Sequence, residues 1–458
     1  MLSRRISIHG QWSSRPMFLL AATGAVVGLG NIWRFPYLVG DNGGGAFILA
    51  YLLCLLLVGA PLLMLELALG KRGRQSPPFT LQTLSVEAGG NAAWKAVGWL
   101  GILTGLVILS YYSVVAGWTL AYGVRFASGV FFRVTSEGAN TLFAQLVGDP
   151  ERLLAWHTIF MVLTIKVVSR GVVNGLEKAN RILVPLLLGL LLVLMVYAVR
   201  VGDFGSAYLF LFNSDFSQLS ATGWLSALGH AFFTLGLGLG AILIYGAYLP
   251  AGISIGRTSM LVVLLDTLVG LVAGIAVFSL LFSADLSPGE GPGLIFQTLP
   301  IAFGQMPGGA FFGTLFFLLL LFAAWTSAIA MIEPAVAWLV ESHEVKRVHA
   351  AIWTGIVAWL LGIISILSFS HWSFSFEFAG ELRRHGLFDV LEILTSSIML
   401  PLGGLLLALF AGWVMNRDSA ADALGRGDGA LFRSWYFLIR YIVPAAIVLI
   451  FLQAVGVV

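Results

Sequence analysis

Long apolar runs separated by short polar, glycine or proline punctuation dominate the chain. They predict about eleven membrane-spanning helices, near residues 16-38, 44-70, 95-126, 152-170, 179-201, 219-249, 258-284, 309-341, 348-370, 387-416 and 433-456. The segments between them are too short for an independent core. The expectation is therefore one all-α membrane domain over residues 1-458. The longest gaps are Lys71 to Trp94, Ser128 to Glu151 and Ala284 to Gly308. The last carries Pro288, Pro292 and Pro307 around Ile295 to Leu299, and reads as a hairpin-like cover over the outer face.

Two of these runs are interrupted. In the first, Thr23 to Pro36 carries Gly24, Gly28, Gly30, Asn31 and Arg34 inside a stretch long enough to cross a bilayer. Glycine leaves the backbone bare and free, so the helix is expected to unwind over Val27 to Gly30. Bare backbone at membrane depth is tolerated where it is buried in protein or lines a cavity. Such a break aims the carbonyls of Gly24, Val26 and Val27 at a cation and the amides near Leu29 and Gly30 at an anion. Close helix packing is the other use of glycine in membranes, but it gives no reason for an amide and a charge beside the break. In the sixth run glycine recurs at every second position over Gly236 to Gly240, which suits neither helix nor strand. The interruptions lie five spans apart, and an odd spacing inverts the second unit relative to the first. This is the signature of an inverted-repeat transporter with its site at mid-membrane, the repeats covering about 16-201 and 219-416 with an added helix near 433-456.

Composition narrows the class. The chain is 59% hydrophobic and 10% charged, with 54 glycines and a net charge of +3. That balance belongs in a lipid bilayer and argues against a nucleic-acid partner. Cys54 is the single cysteine, which excludes an intrachain disulfide. Met1 to Arg15 is basic without a small-residue cleavage site, so the first run reads as a retained span. The excess of Lys and Arg, including Lys71, Arg72, Arg74, Arg170, Lys178, Arg257, Lys346 and Arg347, falls on the side of the N-terminus. The positive-inside rule then puts the N-terminus in the cytoplasm and the C-terminus outside.

The eighth run places Ala323, Thr326 and Ser327 on one helix face, a carbonyl and two hydroxyls suited to a hard cation. Back-bonding of the hydroxyls one turn earlier is the alternative. Glu66, Asp266, Glu333 and Glu392 read as ionisable groups inside the membrane, each a functional expectation by its cost, with a structural hydrogen-bonding acid equally open for Glu66. His157, His230 and His371 make no metal-ligand spacing and read as satisfied histidines. An enzyme lacks a nucleophile with its base here, and a channel would need a continuous path.

Taken together, Gly28 to Pro36, Asn42 to Phe47, Tyr111-Tyr112, Phe232 to Leu235 and Thr326-Ser327 resemble the neurotransmitter:sodium symporter family, in particular its prokaryotic amino-acid transporters of the leucine-transporter kind. The resemblance implies that fold and two sodium sites. One uses the Val26 carbonyl, Asn31, Thr234, Asp266 and the substrate carboxylate; the other uses the carbonyls of Gly24, Val27 and Ala323 with Thr326 and Ser327. It implies a substrate held among Val26, Leu29, Gly30, Ile108, Tyr112, Phe233, Thr234, Gly236, Leu239, Ser327 and Met331. Arg34 resembles an outer-gate arginine paired with Glu392, or with Asp389 if the register slips. Trp12 and Glu341 match inner-gate positions, but the arginine expected there is His9, with Arg4 or Arg5 as substitutes.

The departures carry meaning. Gly28 stands where monoamine carriers look to have aspartate, which favours a substrate with its own carboxylate. Asp266 stands where chloride-dependent relatives have asparagine, which implies chloride independence, and His230 adds a titrating group near it. Gly236, Leu239 and Met331 favour a neutral, apolar L-amino acid. Glycine, a taurine- or GABA-like acid, and a proton-coupled relative stand as alternatives. The implied mechanism is sodium-driven alternating access in a bacterial inner membrane, by a monomer or loose dimer.

Overall fold

The computed structural model describes residues 5–286, 293–425 and 429–457. Arg4, Pro288, Pro292 and Arg426 lie outside the described residues. The first expected span is two helices, α1 (Arg15–Val26) and α2 (Gly30–Asp41), bent by 55° across a break at 27–29. There follow α3 (Gly45–Gly73), α4 (Pro77–Glu87), α5 (Ala92–Ala127), α6 (Pro150–Val168) and α7 (Val172–Val201). The sixth expected span is also divided, into α8 (Ala221–Phe233) and α9 (Ala241–Ala247). The chain then continues as α10 (Ile255–Ser283), α11 (Gly309–His343), α12 (Arg347–Ser368), α13 (Leu387–Val414), α14 (Arg417–Leu424) and α15 (Ala430–Ala454).

Among the described residues, eight helices are long and apolar enough to cross a membrane, or nine with the bent pair counted as one. The expected spans near 152-170 and 219-249 fall outside that set. Helix α6 carries Glu151, Arg152 and Lys166 at its ends, and α8 and α9 are each too short.

The second break explains its glycines. Gly236, Gly238 and Gly240 have φ of 59°, 87° and 72°, the left-handed region where a side chain is strained. Alternate residues take that conformation, so the chain turns instead of coiling. Helix α9 then packs against α3 at backbone distance: a Cβ on Gly246 would stand 2.7 Å from the Leu67 carbonyl oxygen.

Helices α5 and α11 form the most extensively packed pair, with α12 against both, α7 against α11, and α10 against α7. Leu186, Leu192 and Val196 on α7 are exposed, as suits a helix whose outer face meets lipid. In place of a hairpin, the described part of the segment expected as a cover is helical over residues 294–305 and buries Phe296 among Trp33, Trp118, Tyr122, Phe143 and Phe317. A β-hairpin, β1 (Phe376–Phe378) and β2 (Glu381–Arg383), lies between α12 and α13.

Candidate substrate and ion site

The two breaks face each other around one cavity of about 90 Å³. Every residue the resemblance assigned to substrate lines it: Val26, Leu29, Gly30, Ile108, Tyr112, Phe233, Thr234, Gly236, Leu239, Ser327 and Met331. Tyr111, Ala330, Ile242 and Leu400 also line it, and sequence reasoning did not assign them. No charged side chain is among the lining residues. The Tyr112 hydroxyl is 3.5 Å from the Leu29 amide, so a carboxylate between them would meet an O–H and the bare amides that begin α2.

Beneath this cavity Asn31 joins three elements. Its Oδ1 accepts from the Gly28 amide at 3.0 Å, and its Nδ2 donates to Asp266 Oδ1 at 2.8 Å and to Thr234 Oγ1 at 3.3 Å. Thr234 in turn donates to Asp266 Oδ2 at 3.1 Å. Asp266 is fully buried in α10, and Tyr51 packs nearby against His230. Thus the side chains implied for the first sodium site converge from α2, the second break and α10, with the Asn31 amide nitrogen turned toward the oxygens of Thr234 and Asp266 and its own oxygen toward the Gly28 amide.

The second implied set brings α1 to α11. Ser327 Oγ donates to the Val27 carbonyl at 3.4 Å, and a Cβ on Gly24 would stand 3.1 Å from Thr326 Cβ. Thr326 itself back-bonds to the carbonyls of Phe322 and Ala323, each at 3.1 Å. Its hydroxyl therefore adopts the local alternative, whereas Ser327 reaches across the helix pair. Among the described residues no cluster of three or more His, Cys, Asp or Glu is built for a metal, so any ion here rests on carbonyls and hydroxyls.

Other expected roles change. Glu66 is fully buried, and its Oε1 accepts from the Gly238 amide at 2.7 Å, which pins the second break. Glu333 is sealed by Arg347 at 2.5 Å and the Tyr248 hydroxyl at 2.6 Å. Glu392, expected to be buried, has a side chain 34% exposed because α13 begins at the rim of the bundle. Arg34 makes no ion pair with Glu392 or Asp389. Its guanidinium lies over the Phe233 ring at 4.4 Å, while Glu392 faces Arg383 of the hairpin at 3.9 Å and Asp389 accepts from the His385 amide at 2.7 Å.

Of the histidines, His157 reaches the Trp359 carbonyl at 3.2 Å and His371 lies on the surface beside Ser370. His230 is not satisfied by hydrogen bonds: it is buried between the rings of Phe35 and Tyr51 with neither nitrogen partnered among the described residues.

At the opposite end, His9 takes the arginine's place itself. Its Nε2 lies 3.0 Å from Glu341 Oε1, and Glu341 also accepts from the Ser76 amide at 2.9 Å. Arg5 is not the substitute, since it pairs with Glu87. Trp12 is buried, donating from its indole to the Tyr245 carbonyl at 3.1 Å and from its amide to Tyr248 at 3.0 Å.

Two broken helices around a charge-free cavity, with oxygen-rich groups below it, define a secondary transporter of the leucine-transporter fold. The chain belongs to the sodium:neurotransmitter symporter family, whose model matches residues 9–130 and 145–455. It is 36% identical over 450 residues to an uncharacterised sodium-dependent transporter of Bacillus subtilis, covering 98% of both chains. An uncharacterised sodium-dependent transporter of Haemophilus influenzae is 30% identical over 96% of this chain and 97% of its own. The crystal structure of MhsT in complex with L-phenylalanine superposes with a TM-score of 0.87 at 38% identity, over 97% of this chain and 99% of that one. The protein is a sodium-dependent symporter with several membrane helices, and not an enzyme.

Proposed function

We propose that the chain imports a neutral, apolar L-amino acid with sodium by alternating access, without a need for chloride. The observation that carries this reading is the cavity wall, which has no charged side chain and is apolar at Ile108, Leu239, Ile242, Met331 and Leu400. A charged substrate side chain would be desolvated there without a partner, at a cost of several kcal/mol. The α-carboxylate would be held by Tyr112, the Leu29 and Gly30 amides and a sodium ion at Asn31, Thr234 and Asp266. The α-ammonium would meet carbonyls at the end of α1. A second sodium at Gly24, Val27, Ala323, Thr326 and Ser327 would join α1 to α11. The bound phenylalanine in MhsT supports the same side-chain class.

In this reading, α1 to α3 with α8 to α10 rock against a scaffold containing α5, α6, α11 and α12, each group drawing on both repeats of about 16-201 and 219-416. Eleven spans leave the N-terminus in the cytoplasm of a bacterial cell and the C-terminus outside. Arg34 with Glu392 and His9 with Glu341 close the two ends in turn. The fixed carboxylate of Asp266 supplies the negative charge that chloride would otherwise bring. Because substrate and ion share a site, each tightens binding of the other.

The test is thermal unfolding of the purified protein with a panel of amino acids, taurine and amines, each in sodium and in potassium. Stabilisation by apolar L-amino acids in sodium alone is expected. Equal stabilisation in potassium, or stabilisation only by amines or small acids, would overturn the substrate assignment; chloride stimulation of uptake at saturating sodium would overturn chloride independence.

A further inference from the structure

A second cavity, of about 500 Å³, lies far from the substrate pocket, where the N-terminal segment, the end of α3, α4, the loop after α9 and α14 meet. Its wall carries Arg5, Lys71, Arg72 and Arg74 against Glu87 and Asp422. The two acids do not serve all four cations. Glu87 pairs with Arg5 and lies 3.9 Å from Arg72, and Asp422 is an exposed residue with no ion pair among the described residues.

Lys71 and Arg74 are left with neutral acceptors. Lys71 Nζ donates to the Ile253 carbonyl at 2.8 Å, and Arg74 Nη1 donates to the carbonyls of Ala247 and Leu249. Arg74 is 9% exposed, and burial pushes its guanidinium pKa down. A buried charge is ordinarily paired, because hydrogen bonds to neutral carbonyls do not cancel it. The remaining donors of Lys71, and Nε and Nη2 of Arg74, have no protein acceptor among the described residues. These atoms are not among the sealed polar atoms without partners, so they have open space to donate into. A rigid guanidinium fork beside a mobile ammonium is the pairing suited to tetrahedral oxyanions.

We propose that this cavity binds a phosphate-bearing anion through Lys71 and Arg74, with Arg5 and Arg72 at its margin. The volume admits a glycerophosphate headgroup as well as a free phosphate, and both present the same chemistry. A phosphate held there lies between Arg5 on the N-terminal segment and the end of α3. It would therefore tie down the segment that carries His9 and Trp12, and bias that end of the bundle toward its closed state.

The test uses the full-length protein in detergent at fixed ionic strength and saturating sodium. Tm is followed against inorganic phosphate, against phosphatidylglycerol in mixed micelles, and against phosphatidylcholine as the control. A saturable rise with either phosphate or phosphatidylglycerol, absent with phosphatidylcholine, is expected, and which of the two acts names the source. Lys71→Gln and Arg74→Gln should each weaken the half-saturating concentration by about tenfold. Arg74→Gln also disturbs the carbonyls it caps, so Lys71→Gln is the decisive variant, with stabilisation by substrate as its folding control. No rise with either anion, or an unchanged half-saturation in a Lys71→Gln protein that still responds to substrate, overturns the assignment.

Discussion

Replacing Asn31 with alanine tests whether the junction below the cavity is an ion site. The change removes a buried amide that accepts from Gly28 at 3.0 Å and donates to Asp266 at 2.8 Å. Three buried groups lose a partner, the Gly28 amide, one Asp266 oxygen and the Thr234 hydroxyl oxygen, each at a cost of up to about 1–3 kcal/mol in a typical protein. Asp266 keeps Thr234 at 3.1 Å, and hydrogen bonds within membranes measure near the low end. We therefore expect about 2 kcal/mol less fold stability from the lost bonds and, from removal of the amide as an implied ligand, a sodium affinity lower by about thirtyfold. The assay is Tm against sodium concentration at fixed substrate. A ligand at one hundred times its Kd adds about 2.7 kcal/mol of stability, so a thirtyfold weaker site shifts the whole titration to higher sodium. A stable Asn31→Ala protein with an unchanged titration would refute the reasoning, and Asn31 would then be only a structural clasp.

Three further outcomes are expected. Gly238→Ala places a Cβ 2.8 Å from the Leu400 carbonyl oxygen at φ 87°, whereas Gly89→Ala at φ 76° meets nothing within 4 Å; the first should cost substrate binding more than tenfold and the second leave it unchanged in an equilibrium binding assay. His9→Gln removes the imidazole that lies 3.0 Å from Glu341 and should loosen that end of the bundle, seen as faster labelling of a cysteine placed behind it, whereas His9→Arg should keep it shut. Arg383→Gln frees Glu392 from its neighbour at 3.9 Å and should slow substrate dissociation by making Glu392 available to Arg34; an unchanged off-rate removes the hairpin from the gate.

What the sequence disclosed and what it concealed divide along a physical line. The breaks were legible because a glycine run has a local cause, the positive φ at Gly236, Gly238 and Gly240. The cavity residues were legible through the resemblance, which reports positions already tested together in other chains. Leu400 and Tyr111 escaped because their places depend on how α13 leans on α5, a tertiary fact without local signature. Arg34 and Glu392 stand apart in this conformation for a related reason. Residues can match a gate by register, yet whether they touch depends on the conformation, and here Phe233 offers the guanidinium a nearer surface. His9 looked like a lost gate only because arginine was expected; an imidazole can make the same bond to Glu341 at 3.0 Å.

The same contrast explains how one site can couple two ligands. Asn31 is fixed by Gly28 on one side of the first break and by Asp266 on another helix, while Glu66 fixes the second break through Gly238. Both interrupted segments are therefore tied to an acid embedded in a neighbouring helix, the first through Asn31 to Asp266 and the second directly to Glu66, in addition to their own turns. In the proposed function, a cation beside Asp266 and Thr234 would lower the cost of holding the first break in register, and a substrate carboxylate would need that register to meet the amides of Leu29 and Gly30. Coupling of this kind would require no long pathway, because the element that both ligands would order is the same few residues of bare backbone.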